Sequence, residues 1–468
     1  MEKEKKSEFI YERKNAWIGQ TEREKKVVFD FAENYKNFLN LCKTERECVY
    51  FIEKEAKKYG FNYIEKAKGK PGEKIILKNS EKNIILAVLG KESMTEGINI
   101  VVSHIDAPRL DLKPLPLVEE SDMALFKTHY YGGIKKYHWV NMPLSLHGVV
   151  IKSNGEKINL VIGEDEGDPV FVINDILPHL SKKIQDEKKI SEAIEGENLR
   201  LLVGNMPVDD KEIEQKVKEY VLRKLNELYG LKEEDFISAE LEVVPAFKAK
   251  DVGIDRSMIG AYGQDDRICS YANFRAILDF EGIPDKTILS VHIEKEEIGS
   301  YGVSGIRSKF LYNSIGRIYC LEKPDYKERE LRELLTSSYC ISADVGAVIN
   351  PMFKEVFDPI NSPRMGYGVL LEKYTGSRGK YGASDASAEL MGKVRKIYND
   401  NNVIWQPSLL GKVDEGGGGT VALFLADLGI AVVDSGVGLD GMHSPFEVSS
   451  KADLYQAYKG YKAFFKNA

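Results

Sequence analysis

Hydrophobic and polar positions give the chain three textures in succession. Residues 1–60 are rich in charge, and apolar residues recur at helical spacing through 27–41, which predicts helix. Short β-rich runs follow at 84–89 and 98–102, each bounded by turn residues, and these predict strands. The second strand empties into Ser103-His104-Ile105-Asp106. From 118 to 249 the pattern changes. Segments 148–152, 158–163 and 240–244 predict strands, and 211–229 predicts an amphipathic helix with Ile213, Val217, Val221, Leu222 and Leu225 on one face. After 252, strands alternate with helices. Helices are predicted over 266–280, 384–398, 420–428 and 451–465, and strands over 287–293, 340–344, 403–405 and 430–433.

Strands that alternate with helices predict an α/β fold, a central mixed sheet flanked by helices. The middle segment completes no catalytic constellation and breaks the alternation, so it reads as an inserted, β-rich domain. The expected division is 1–117 for the first part of a catalytic domain, 118–249 for the insertion and 250–468 for the second part. Chemistry is then expected in the loops that leave the sheet.

Charge and cysteine usage narrow the functional classes. The 66 Lys and Arg are outnumbered by 73 Asp and Glu, so no basic surface for nucleic acid is expected. The five cysteines include no CxxC pair, which suits a reducing compartment and argues against a structural zinc knuckle. The charged start, residues 1–6, leads into no apolar segment of a secretory signal, and no run approaches the roughly 18 apolar residues of a membrane span. The expectation is a cytoplasmic protein with neither nucleic-acid nor membrane partners.

Five separate segments place metal-type residues just past an apolar run or at a helix start. In His104-Ile105-Asp106, side chains two apart on an extended segment face the same side, so Asp106 can hold the ring nitrogen of His104 that a metal leaves free. Gln264-Asp265-Asp266-Arg267 opens a helix, where Asp265 is either a cap or a carboxylate shared by two metals. The strand over 287–293 runs into Glu296-Glu297, and carboxylates next to a core are costly unless paired or bound to metal. Asp344 and His443 each follow an apolar run, and a lone histidine there is as often a core residue as a ligand. Together, two histidines and three carboxylates suit two zinc ions sharing Asp265. Paired metals of this kind activate water and polarise a carbonyl together. Glu296 is left without a ligand duty and is the candidate general base.

The motifs SHIDAPRLDLKP, YGQDDRICSYA, IEKEEIGSYG, SADVGA and GMHSPFE occur in the order of the aspartyl aminopeptidases, and YERKNAW extends the likeness toward the N-terminus. The chain therefore resembles that family of two-zinc metallo-aminopeptidases, which form tetrahedral particles. The resemblance implies that His104, Asp265 and Asp344 hold one zinc and that Asp265, Glu297 and His443 hold the other, with Co2+ or Mn2+ as alternatives. It implies that Asp106 orients His104 and that Glu296 takes the proton of a water bridging the metals, so that N-terminal residues are removed from peptides. It further implies that the insertion builds a dimer, that dimers assemble into a homododecamer, and that His179 of Leu177-Pro178-His179-Leu180 reaches a neighbouring subunit's site to support the oxyanion. Arg378 is the candidate basic residue of the substrate pocket. The chain departs from the family at Ala347, where the motif carries a histidine that recognises acidic side chains. That departure weakens the expectation of an acidic substrate residue and leaves a broader preference open.

Two other readings compete. A scaffold that keeps the fold usually lacks a ligand or the base, and here none is missing. A deacylase or carboxypeptidase of the same clan would use similar ligands, but the Asp-Asp-Arg and Glu-Glu-Ile-Gly segments favour the aminopeptidases.

Overall fold

A computed structural model describes residues 9–468; the charged segment 1–6 lies outside them. Two amphipathic helices, Glu22–Leu41 and Glu45–Lys58, come first, and each starts with a capping box, Thr21 with Glu24 and Thr44 with Glu47. Their apolar stripes cover one face of a nine-stranded mixed sheet, together with Gln264–Leu278, Ala388–Asp400 and the closing helix Lys451–Asn467. Helices Phe310–Glu322 and Glu328–Thr336 cover the other face. Among the described residues, no helix is long and apolar enough to cross a membrane.

The centre of this sheet positions the site. Strands Ile288–Ile293, Asn99–His104, Tyr339–Ser342 and Ala431–Asp434 lie side by side and parallel. Their residues are buried almost throughout, as parallel strands covered on both faces must be. All four release their chains at one edge, where His104 pairs with Ile293 and where Glu294–Glu297 and Asp344 emerge.

A six-stranded antiparallel sheet comes from the middle of the chain, in the order 157–162, 144–151, 239–245, 109–120, 123–131 and 200–204. Helix Lys216–Tyr229 packs on it. Strand Arg109–Glu120 crosses position 117/118, the expected start of the insertion. It escaped the sequence pattern because Pro114 and Pro116 interrupt it; the pairing register shifts between Leu112 and Leu117, where they sit. A five-stranded sheet of short strands, including Met258–Ala261 and Glu447–Ser450, lies beside the site.

Candidate active site

His104 ends its strand with its side chain only 2% exposed. Its Nδ1 lies 3.3 Å from Asp106 Oδ1 and 3.1 Å from the Asp106 carbonyl oxygen, so the ring turns Nε2 outward. Nε2 is 3.2 Å from Asp265 Oδ1 and 3.8 Å from Asp344 Oδ1. On the far side, His443 Nε2 is 3.2 Å from Asp265 Oδ2 and 3.6 Å from Glu297 Oε2. Asp265 therefore stands between the two histidines, one oxygen toward each.

Asp106 is fully buried and ties the loops together. It accepts the backbone N–H groups of Glu296 and Glu297, each at 3.3 Å, and the Tyr131 hydroxyl at 2.8 Å. The loop carrying Asp106 is itself braced. Arg267 donates to the Ile105 and Lys43 carbonyls, and Tyr262 donates to the Pro108 carbonyl. Gly263, at φ 70°, makes room for that arginine, since a Cβ there would lie 2.1 Å from Arg267 Nη1. The same turn delivers Asp265 at the start of Gln264–Leu278, where Asp265 and Asp266 depart from helical geometry.

Three contributors have no role assigned from the sequence. Glu447 accepts the His443 N–H at 2.8 Å and the Asp265 N–H at 3.1 Å, which joins two candidate ligands through one buried carboxylate. Gly133 accepts from His443 Nδ1 at 2.8 Å through its carbonyl. Asp266 accepts the His104 N–H at 3.2 Å and groups with His104 and Asp344 as a cluster of ligating atoms, beside the cluster His104, Asp265 and Glu297. Its charge and its place beside Asp265 are plain in the sequence, but its contact with His104 depends on the fold.

The site crowds carboxylates. Burial pushes the Glu296 carboxyl up to about 7; His104 opposes this, and the charges of Asp106 and Asp265 reinforce it. Burial and Asp265 raise Glu297 well above the usual range, and burial and Asp266 do the same for Asp344. Asp265 goes the other way: burial opposes, but His104 and His443 hold it well below normal. His443 is raised to about 10 against its burial, chiefly by Asp265. Buried like charges that repel in this way are relieved by a cation. The donors present, imidazole nitrogens and carboxylate oxygens, are those zinc takes. Glu297 Oε1 is buried without a hydrogen-bond partner among the described residues, as a ligand oxygen would be. The residues fit the metal.

Other expected residues lie elsewhere. His179 is exposed on the short helix Pro178–Ser181 and makes no hydrogen bond or ion pair with this cluster among the described residues. Arg378 is exposed on the loop after strand Val369–Glu372, with φ 49°. His292 is fully buried between the hydroxyls of Ser103, Ser270 and Ser290, and burial holds it down to about 3. It is a core residue. The glycine run 416–419 packs against the Arg378 loop, where Gly376 donates to the Gly418 carbonyl.

Comparison with known proteins decides the family. The family described as aminopeptidase I zinc metalloprotease (M18) matches residues 38–465. The chain belongs to the M18 aminopeptidases. A probable M18 family aminopeptidase 1 of Borrelia garinii subsp. bavariensis is 51% identical over 456 residues, 97% of this chain and 99% of that protein. The crystal structure of an M18 aminopeptidase from Thermotoga maritima matches with a TM-score of 0.94 at 47% identity, covering 98% of this chain and 100% of that one. The mApe1 dodecamer of S. cerevisiae shares the fold, with a TM-score of 0.75 at 22% identity over 93% of this chain and 96% of that one. As an M18 aminopeptidase the chain is a zinc metallopeptidase, a hydrolase of N-terminal peptide bonds.

Proposed function

We propose that this aminopeptidase works with two zinc ions, one held by His104, Asp265 and Asp344 and the other by Asp265, Glu297 and His443. The observation that carries the reading is the placement of Asp265, 3.2 Å from each histidine through a different oxygen, so that one side chain serves both sets. Bound zinc supplies a Lewis acid that polarises the scissile carbonyl and acidifies water. The residues of the chain do the rest.

Glu296 takes the proton of the attacking water and returns it to the leaving amine. Its backbone is pinned by Asp106, so base and ligand histidine keep one registration. The His443 side chain is 36% exposed against 2% for His104, which favours entry of the peptide from the His443 side. A free α-amine at the crowded carboxylates then explains preference for chain ends.

Further parts of the reading concern assembly and selectivity. Residues 118–249 would form a dimerisation domain between the catalytic parts 1–117 and 250–468, and dimers would build a homododecamer. Exposed Leu177, Leu180 and Ile184 beside His179 support a contact there, and His179 would reach the neighbouring subunit's site to stabilise the oxyanion. Arg378 would meet the substrate. Co2+ or Mn2+ would substitute for zinc, and the enzyme would serve peptide turnover in the cytoplasm.

The test is hydrolysis of acidic, basic and apolar aminoacyl substrates, with and without a chelator, by protein whose mass is measured by sedimentation. Chelator-sensitive release of N-terminal residues is the expected result. Release that survives complete metal removal would overturn the metal mechanism.

A further inference from the structure

We propose that Tyr131 and Gly133, from the end of an antiparallel strand outside the catalytic sheet, are positioning residues that set zinc affinity at the two histidines. The inference rests on the two-zinc reading above and deepens it. Strand Met123–Tyr131 belongs to the six-stranded sheet, yet its last residue and the turn after it touch both ends of the metal cluster.

At one end, the Tyr131 hydroxyl donates to Asp106 Oδ2 at 2.8 Å, while Asp106 Oδ1 faces His104 Nδ1 at 3.3 Å. The tyrosine and the Glu297 N–H occupy Oδ2, which leaves Oδ1 to His104 and the Glu296 N–H. The tyrosine has little freedom. It is paired across the strands with Arg109, whose guanidinium lies 4.0 Å from the ring centroid. Arg109 is in turn anchored by Glu242 at 3.0 Å and Asp111 at 2.9 Å.

At the other end, the Gly133 carbonyl accepts from His443 Nδ1 at 2.8 Å, which fixes that ring with Nε2 toward Asp265 and Glu297. Gly133 has no side chain for a reason: a Cβ would lie 3.3 Å from His443 Nδ1 and meet nothing else of the fold but that ring. One short stretch of chain therefore supplies the outer hydrogen bond of the His443 ring and steadies that of the His104 ring. Partners of this kind fix tautomer and ring orientation, and their loss typically weakens a metal site 10–100-fold.

The experiment measures zinc binding by competition with a chromogenic chelator in full-length wild type, Tyr131→Phe and Gly133→Ala. Melting of each metal-free protein is recorded alongside. Tyr131→Phe keeps the ring and its stacking; Gly133 does not sit at positive φ, so alanine suits its backbone, keeps the carbonyl and acts by crowding the His443 ring away from it. The expected result is about tenfold weaker binding of one ion in each variant, with metal-free melting as in wild type, and weakening of both ions in the double variant. Variants that hold both ions as tightly as wild type overturn the proposal while leaving the two-zinc reading standing. Wild-type protein that takes up no zinc overturns both.

Discussion

Asp265 Oδ1 approaches His104 Nε2 to 3.2 Å, and its other oxygen is equally close to His443. Because both histidines face the same carboxylate, Asp265→Asn ought to disturb both ions, whereas Asp344→Asn or His443→Ala ought to spare one. Metal content after dialysis checks this. The expected result is zinc near zero in the first variant and near one per subunit in the others. Equal retention in all three would show that Asp265 is not shared.

Glu296→Gln is expected to keep zinc and lose turnover by about 10²- to 10⁴-fold, the range for loss of a general base. The amide preserves the shape of the side chain and leaves the backbone N–H on Asp106 untouched. Single-turnover kinetics with metal-loaded protein separates chemistry from binding. Turnover within a few fold of wild type would return the base to an unassigned group.

Glu447 makes a different kind of prediction. Its two oxygens accept the N–H groups of His443 and Asp265, so Glu447→Leu strands two buried donors. Each stranded donor costs about 1–3 kcal/mol. Thermal melting of the metal-free protein is expected to fall clearly, and Glu447→Gln to recover only part of it, since the amide oxygen accepts one of the two bonds and the NH2 cannot accept the other. Equal melting of the leucine variant and wild type would contradict the contact.

How far the site was legible in the sequence follows from the range of its contacts. His104, Glu296, Glu297 and Asp344 each follow an apolar run, and three neighbouring parallel strands carry those runs to one edge, so the pattern points to the loops that meet there, while the duties expected of the residues come from the resemblance. Asp106 is two residues from His104 and could be read from strand geometry. Tyr131 and Gly133 act on partners whose proximity only the fold creates, as does Glu447 on Asp265; Gly133 and His443 are 310 positions apart. The small five-stranded sheet was missed because strands as short as Gly346–Ala347 leave no period to read.

The last prediction concerns pH and lies away from the metals. Lys43 and Lys248 pair with Glu164 on one side of a buried His147, and Glu47 bonds its other ring nitrogen at 2.7 Å. This cluster joins the helix Glu45–Lys58 to the six-stranded sheet. Although burial opposes it, His147, Lys43 and Lys248 hold Glu164 down to about 2. A depressed carboxylate stabilises the fold above its unfolded pKa of about 4.3, and that contribution drains away as pH falls toward 2. His147 has the opposite sign. Its pKa is raised against burial by Glu164 and Glu47, so its contribution is complete below about 6.5 and is lost as pH climbs through the folded value. Glu164→Gln is therefore expected to cost on the order of 3 kcal/mol at pH 6, read from urea midpoints, with the deficit shrinking as pH drops below about 4. A deficit that stays constant down to pH 3 would remove Glu164 from the acid limb of stability.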